Sequence, residues 1–493
     1  MSARLIPFPT ELRPRLPTIV GNVDYLTLRL RLQQIDDLLR TSGVEKDFME
    51  RALGKWFNKD SPPTAQQQQK FQNRSRRALR CNLLRTLLQE EYRPFSCALA
   101  GNPLYQWFCC MDAMDRVRVP SKSELQRFAH LLEAPEMRGV IEGLLSAGVH
   151  CSQALELKTA VDLDQYFLDT TCLKANVHFP VDWVLLRDGT RTLMKAVILI
   201  RKQGLKGRME SPEEFLGRIN RLCIEMTHTR RKPDAKKQRK RVLRGMKKLV
   251  KLVGGHARRH RELLDRQWEK TAWSRPQAEQ VLGRIDRVLE LLPRAAKQAH
   301  ERIIGGRLVD NSEKILSLYE PDIHVLVRGK AGADVEFGNT LLLGENRQGI
   351  ILDYQLCKDQ APADVKLLAG SVERVVAGLK QKVAAVGADR GFASKANTEK
   401  LAEEGIFNGI CPKSPLELKA RMKEPQFAEM QKRRSQTEAR ISILQRNFLG
   451  KPMRAKGYAN RELAVAWGVL THNLWVFARL KNAEAEEPLL QAA

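Results

Sequence analysis

The 493-residue chain reads as an α/β protein built on one mixed sheet with flanking helices. An all-helical region precedes the sheet, and a basic helical insertion interrupts it after its first strand. Three observations predict this. Residues 24–95 carry leucines at three- and four-residue spacing, as in LRLRLQQIDDLLR and RRALRCNLLRTLLQEEY. An alternating, β-branched run, QYFLDTTCL (165–173), stands alone before a long stretch, 182–318, with no strand signal. Beyond it, short apolar runs and helical segments follow one another to about residue 448, the pattern of an α/β or α+β core.

In order, residues 1–95 form an N-terminal helical region, with SPPTAQQQQ (61–69) as a Pro-led polar break. Residues 96–160 read as short helices, Ser121 or Ser123 capping ELQRFAHLL. They fit a helix-turn-helix or a plain bundle. Residues 161–181 hold the first core strand, and 182–318 the insertion. The remainder of the core, 319–450, contains strand candidates DIHVLVRG, VEFGNTLLL and GIILDYQLC, separated by Gly-rich turns as in an antiparallel meander. A helix opened by Asp364 follows, then a buried strand ending in Gly387-Ala388-Asp389, a helix (395–404), the strand IFNGICP, and a long helix from about 425 to 448. Residues 451–493 hold a strongly apolar helix with Trp467 and Trp475, read as closing the core, and a tail.

Hydrophobic residues make up 43% and charged residues 29%, which excludes a disordered chain. No run of ~18 uninterrupted apolar residues predicts a membrane span, and MSARLIPFPTELRPRL lacks the apolar centre of a secretory signal, so a cytoplasmic location is expected. The nine cysteines show no C-x-x-C spacing, which favours reduced, mostly buried thiols over disulfides or a zinc site. His256-x-x-x-His260 has helical spacing but no third ligand nearby, and reads as a solvated helix face.

The net charge is +27. Residues 191–260 alone hold 22 Lys/Arg against five Asp/Glu, and 230–251 hold twelve basic residues and one acid. Lys236, Lys237, Arg239, Lys240 and Arg241 lie in that densest part. A surplus so one-sided repels itself unless a polyanion neutralises it, so DNA contact through phosphates is expected.

Three acids come from distant segments. Asp169 sits mid-strand on one face with Phe167 and Thr171. Asp389 ends its own strand. Glu438 falls on a stripe with Arg434, Ile441, Gln445 and Phe448, and is expected to point at the sheet. Carboxylates held close repel unless a cation joins them, and hard oxygen donors suit Mg²⁺ or Mn²⁺. Two such ions can clamp the attacking and leaving oxygens of a phosphoryl transfer. Asp182, Asp188 and Asp353 are weaker candidates: Asp188-Gly189 reads as a turn, and Asp353 as a partly exposed strand residue.

Taken together, FLDTTCLKANVHFPVDWVLLRDGTR, EPDIHVLVRGKAGADVEFG, GADRGFAS, TEARISILQR and AVAWGVLTHNLWVFARL resemble bacterial insertion-sequence transposases of the DDE class. The resemblance covers roughly 100–480 and implies a ribonuclease H-like catalytic core. It implies that Asp169, Asp389 and Glu438 are catalytic and hold two Mg²⁺ or Mn²⁺ ions, with Asp169 shared. The family's Y-x2-R-x3-E-x6-K signature is matched only in part: Arg434 and Glu438 are in place, while Gln431 and Gln445 stand for the Tyr and Lys. Arg434 is therefore a candidate phosphate contact. Arg328 and Lys330 lie in RGKAGADVEFG, which reads as either a mobile basic loop near the site or a simple hairpin turn. The activity implied is cleavage and strand transfer of double-stranded DNA at the terminal inverted repeats of a mobile element, by a homodimer or larger assembly in a bacterial, nucleoid-associated setting. A non-catalytic DNA-binding relative and a ribonuclease H-like nuclease are the alternatives.

Overall fold

The computed structural model describes residues 5–6, 13–56, 63–111, 116–229, 234–330 and 333–481. Among the described residues seven helices precede the sheet: α1 (Val23–Thr41), α2 (Val44–Trp56), α3 (Ala65–Leu88), α4 (Tyr92–Gly101), α5 (Pro103–Phe108), α6 (Lys122–Ala129) and α7 (Ala134–His150). The glutamines expected in a break belong to α3. Thr64 and Gln67 form a capping box, Gln67 N–H donating to Thr64 Oγ1 at 3.3 Å and Thr64 N–H to Gln67 Oε1 at 3.0 Å, so the helix starts as soon as the prolines end. Ser121 caps α6 as expected, accepting from Glu124 N–H at 3.3 Å. The fully buried Arg80 of α3 ties α1 and α2 together through Asp36 and Glu45.

The first strand, β1 (Tyr166–Lys174), leads into α8 (Asp182–Lys202), α9 (Pro212–His228), α10 (Ala235–Gln267) and α11 (Arg275–His300). These four helices bury a core of their own, around Leu186, Val197, Phe215, Met246, Ile285 and Leu292. Asp188-Gly189 is not a turn. Gly189 lies inside α8, where the Leu292 and Leu318 side chains come within 2.6 and 2.9 Å of the place a Cβ would occupy. Nor are His256 and His260 solvated: both are buried on the inner face of α10, His260 Nδ1 is 2.8 Å from His256 O, and burial lowers both pKa values.

The chain then returns to the sheet with β2 (His324–Lys330), β3 (Ala333–Asn346) and β4 (Ile351–Leu356). After α12 (Leu368–Leu379) come β5 (Ala385–Ala388), α13 (Lys395–Glu403), β6 (Phe407–Ile410), α14 (Pro415–Arg421), α15 (Pro425–Leu444) and α16 (Tyr458–Leu480). The sheet is mixed and six-stranded, and the fold is α/β. β1 pairs antiparallel with β3 and parallel with β5, and β5 pairs parallel with β6. The expected meander is altered. β1 occupies one edge of β3, so β2 and β4 lie end to end on the other, β2 along 333–338 and β4 along 341–345. Asn339 joins the two ends, its amide donating to Asp322 O and Cys357 O.

The N-terminal helices, most of the sheet and α16 share one apolar core. The indole N–H of Trp467 donates to Ala129 O at 3.1 Å, and the Asn473 amide satisfies both backbone groups of Ile351 on the open edge of β4. Among the described residues α16 alone is long and apolar enough to cross a membrane, and 78% of its apolar window is buried within this fold. α7 packs against α2, α12 and α16.

One buried group on α16 carries a pH signature. Burial pushes His472 down to about 4, Asn473 opposing and Arg440 and Arg479 reinforcing the shift. The unfolded chain takes up this proton near pH 6.5, so stability falls as pH drops from there toward 4, by up to about 3 kcal/mol. In His472→Leu the urea midpoint is expected to vary less across that window than in the parent.

Candidate functional site

β1 and β5 run side by side in register, Phe167 opposite Gly387 and Leu168 opposite Ala388. The next residue on each strand is an acid, Asp169 and Asp389. Side chains two apart on a strand share a face, so both carboxylates belong to the face of Phe167 and Gly387. That face is the one α15 covers. Met430 of α15 packs with Phe167 and Ala385, and its Cε lies 3.3 Å and 2.7 Å from the places where Cβ atoms on Gly387 and Gly409 would sit. The two glycines let the helix approach closely, and the strands deliver the acids just beyond it.

Both carboxylates are half-buried and oriented by the backbone. Asp389 Oδ1 accepts from Gly391 N–H at 2.8 Å, starting the 3₁₀ turn Arg390–Phe392. Asp169 Oδ1 accepts from Thr170 N–H at 2.7 Å. A further acid, read from sequence only as a helix opener, stands beside them. Asp364 Oδ1 accepts from Thr170 Oγ1 at 3.1 Å. Its Oδ2 and Asp389 Oδ1 each lie 2.9 Å from the position a Cβ would take on Gly391, so the two oxygens are separated by no more than twice that distance. Only a fold could reveal this, because the segment carrying Asp364 crosses beside Thr170 of β1 and the turn that follows β5.

The third expected acid is placed differently. The inward stripe of α15 is Phe427, Met430, Thr437, Ile441 and Leu444, and Glu438 is exposed on its flank. Thr437 takes the inward place because its hydroxyl donates to the buried Glu345 of β3 at 3.0 Å. Glu438 is thus on the helix that covers the face the two aspartates share, but is exposed and not directed into the sheet. Among the described residues no three His, Cys, Asp or Glu side chains form a group able to hold a metal. What exists is an open set of oxygen donors: Asp169 and Asp389 together, Asp364 beside them, and Glu438 on the overlying helix. All-oxygen donors suit a hard divalent cation.

Gln431 and Gln445, at the signature's Tyr and Lys positions, are structural. Gln431 donates to Gly409 O at 2.8 Å, and the buried Gln445 to Thr171 Oγ1 at 3.0 Å, so neither is offered to a ligand. Arg434 is half-buried and donates to Gln431 Oε1 at 3.3 Å. The side chains of Arg328 and Lys330, and the loop tip at 331–332, lie outside the described residues.

The insertion presents its charge on α10. Lys237, Arg241, Arg244, Lys248, Lys251 and Arg258 recur every three or four residues along one exposed face, with Gly255 in the remaining place. The stripe spans ~31 Å at 1.5 Å per residue. Arg241 pairs with the exposed Glu225 at 2.7 Å. Lys236 is exposed and Lys240 half-exposed at the same end. Arg239 is half-buried, its guanidinium lying 5.2 Å from the centre of the Trp183 ring. Residues 230–233 of the basic run lie outside the described residues.

The remaining acids are internal. Asp353, expected to be partly exposed, is 2% exposed and bound by Arg138, Arg374 and Ser371. Asp182 is buried, paired with Arg302 at 3.0 Å and bonded to Gln298. Asp188 pairs with Arg187. Comparison with protein-family models, with curated proteins and with solved structures gives no match to this chain.

Proposed function

We propose that this protein is a DNA transposase of the DDE class, binding the terminal inverted repeats of a mobile element and catalysing divalent-metal-dependent cleavage and strand transfer. The observation that carries the proposal is the arrangement of Asp169, within β1, and Asp389, just past the end of β5, as neighbours on one face of the sheet. The mixed sheet with Asp169 on a central strand supports a ribonuclease H-like core. The α10 stripe supports a duplex partner, its length matching about nine base pairs.

In this reading Asp169 and Asp389 hold Mg²⁺ or Mn²⁺, and Glu438 completes the set from α15. The bound ions supply an activated water or 3′-hydroxyl and neutralise charge on the phosphate. The chain's own part is to orient. Thr170 N–H and Gly391 N–H fix the two carboxylates, the sheet keeps their separation rigid, and Arg434 stands ready for a backbone phosphate. Two ends must meet for transposition, so an assembly of at least two chains on DNA is part of the proposal.

A non-catalytic DNA-binding relative is the rival, favoured by the fact that the described acids form no ready-made three-ligand group. The test is incubation of purified protein with duplexes carrying the sequences that flank its reading frame, with and without Mg²⁺ or Mn²⁺. Cleavage at a fixed position exposing a 3′-hydroxyl is expected. No metal-dependent cleavage would favour the rival, and equal cutting of unrelated duplexes would indicate a nuclease.

A further inference from the structure

We propose that Glu345 is a positioning residue that sets the rotation of α15 and with it the direction of Glu438. This rests on the reading of Glu438 as a metal ligand. The apolar anchors of α15 lie at its two ends, Phe427 and Met430 at one and Ile441 and Leu444 at the other. Between them, across the turns that carry Glu438, the buried residue is Thr437. Apolar packing therefore does not hold that middle section; a charged clamp does.

Glu345 lies on β3, opposite Phe167 of β1, and is 4% exposed. Its Oε1 accepts from Thr437 Oγ1 at 3.0 Å and from Arg433 Nη2 at 3.1 Å, and its Oε2 lies 3.7 Å from Arg440 Nε. All three partners are on α15, five and one residues before Glu438 and two after it. The same arginines hold the β3–β4 turn: Arg433 donates to Asn346 O and Arg347 O, and Arg440 to Gln348 O. Arg440 also fills the space above Gly349, its Nη1 1.3 Å from where a Cβ would be, and Gly349 has φ +86°. The Arg433 guanidinium lies 5.0 Å from the centre of the Phe167 ring, two residues along β1 from Asp169.

Buried ion pairs contribute little net stability compared with apolar packing of the same volume, because each charge must first lose its water. What they specify is geometry. Two arginines and a threonine converging on one carboxylate fix both the rotation of α15 and its axial position against β3. Glu438 stands one residue from Thr437, so its direction is set by the same bonds. Partners that orient a ligand in this way typically change metal affinity or activity by about 10–100-fold when removed.

The test is Mn²⁺ binding, followed by electron paramagnetic resonance on the full chain, for Glu345→Gln, Glu438→Ala and the double variant. Far-UV circular dichroism checks that each is folded, and Arg440→Gln, at a half-buried site, provides a second and milder release of the clamp. Glu345→Gln is expected to weaken Mn²⁺ binding about 10–100-fold in the parent chain and to add nothing in the Glu438→Ala background. Arg440→Gln should follow it with a smaller loss. An equal loss in both backgrounds would overturn the proposal, since the clamp would then act on something other than Glu438. So would unchanged binding in folded Glu345→Gln. If Glu438→Ala alone leaves Mn²⁺ binding intact, the metal-ligand reading of Glu438 fails first, and the role of Glu345 fails with it.

Discussion

Asp389→Ala is expected to abolish DNA cleavage, by at least ~10²–10³-fold, while leaving the affinity for DNA within about twofold of the parent. The size follows from the position of the group. Asp389 stands just past the end of β5 with its carboxylate fixed by Gly391 N–H, and Asp364, the acid beside it, is itself held by a hydrogen bond from Thr170 Oγ1. Asp169→Asn should behave the same way, because an amide keeps the volume but loses the charge that attracts the cation. DNA binding survives in both because the basic surface is on another element. Asp364→Asn should cost less than either, as Asp364 reaches the site through Thr170 and the Gly391 turn. The measurement is cleavage rate against metal concentration, with gel-shift affinity measured in parallel. Normal cleavage in either Asp169→Asn or Asp389→Ala would remove that residue from the site.

Neutralising the α10 stripe should do the reverse. A triple variant, Arg244→Gln, Lys248→Gln and Lys251→Gln, is expected to weaken DNA binding strongly at physiological salt. It should also flatten the dependence of log affinity on log salt by roughly 0.9 for each phosphate no longer neutralised, about 2.7 for all three. These side chains are on the outer face of α10 and the bundle core is on the inner face, so stability should be nearly unchanged. Binding to unrelated duplexes should weaken to a similar degree, because phosphate contacts carry no sequence information. An unaltered salt slope would show that the duplex lies elsewhere.

Much of this architecture can be read from residue pattern alone, for physical reasons. The strands from β2 to β4 are set off by Gly-rich turns, and QYFLDTTCL and the short apolar run before Asp389 stand out from their helical surroundings. The insertion announces itself by its charge. Polar burial, by contrast, leaves no periodic trace. Glu345, Asp353 and Asp182 are buried because arginines from distant segments meet them: Arg433 and Arg440, Arg138 and Arg374, and Arg302. That same hidden chemistry turns α15. A stripe drawn from apolar residues puts Glu438 inward, whereas Thr437, drawn in by Glu345, takes that position. His256 and His260 are masked in the same way, by the lysines and arginines on the opposite side of their helix. Asp364 is legible as the start of a helix but not as a neighbour of Asp389, since only the crossing of the chain beside Thr170 and the turn that follows β5 joins them.

The ion pair from Arg302 and the hydrogen bond from the Gln298 amide that hold Asp182 have a kinetic consequence. They fasten the first residue of α8 to the far end of α11, where Gln298 also donates to Ile315 O. Once the bundle has formed around its own apolar interior, β1 and β2 are separated by a short clasp instead of a hundred-odd wandering residues. Bringing β1 to β3 then carries the small entropic cost of a short loop. On the ribosome the bundle can assemble before β3 emerges, so that β1, emerging early, is already held near its future neighbour.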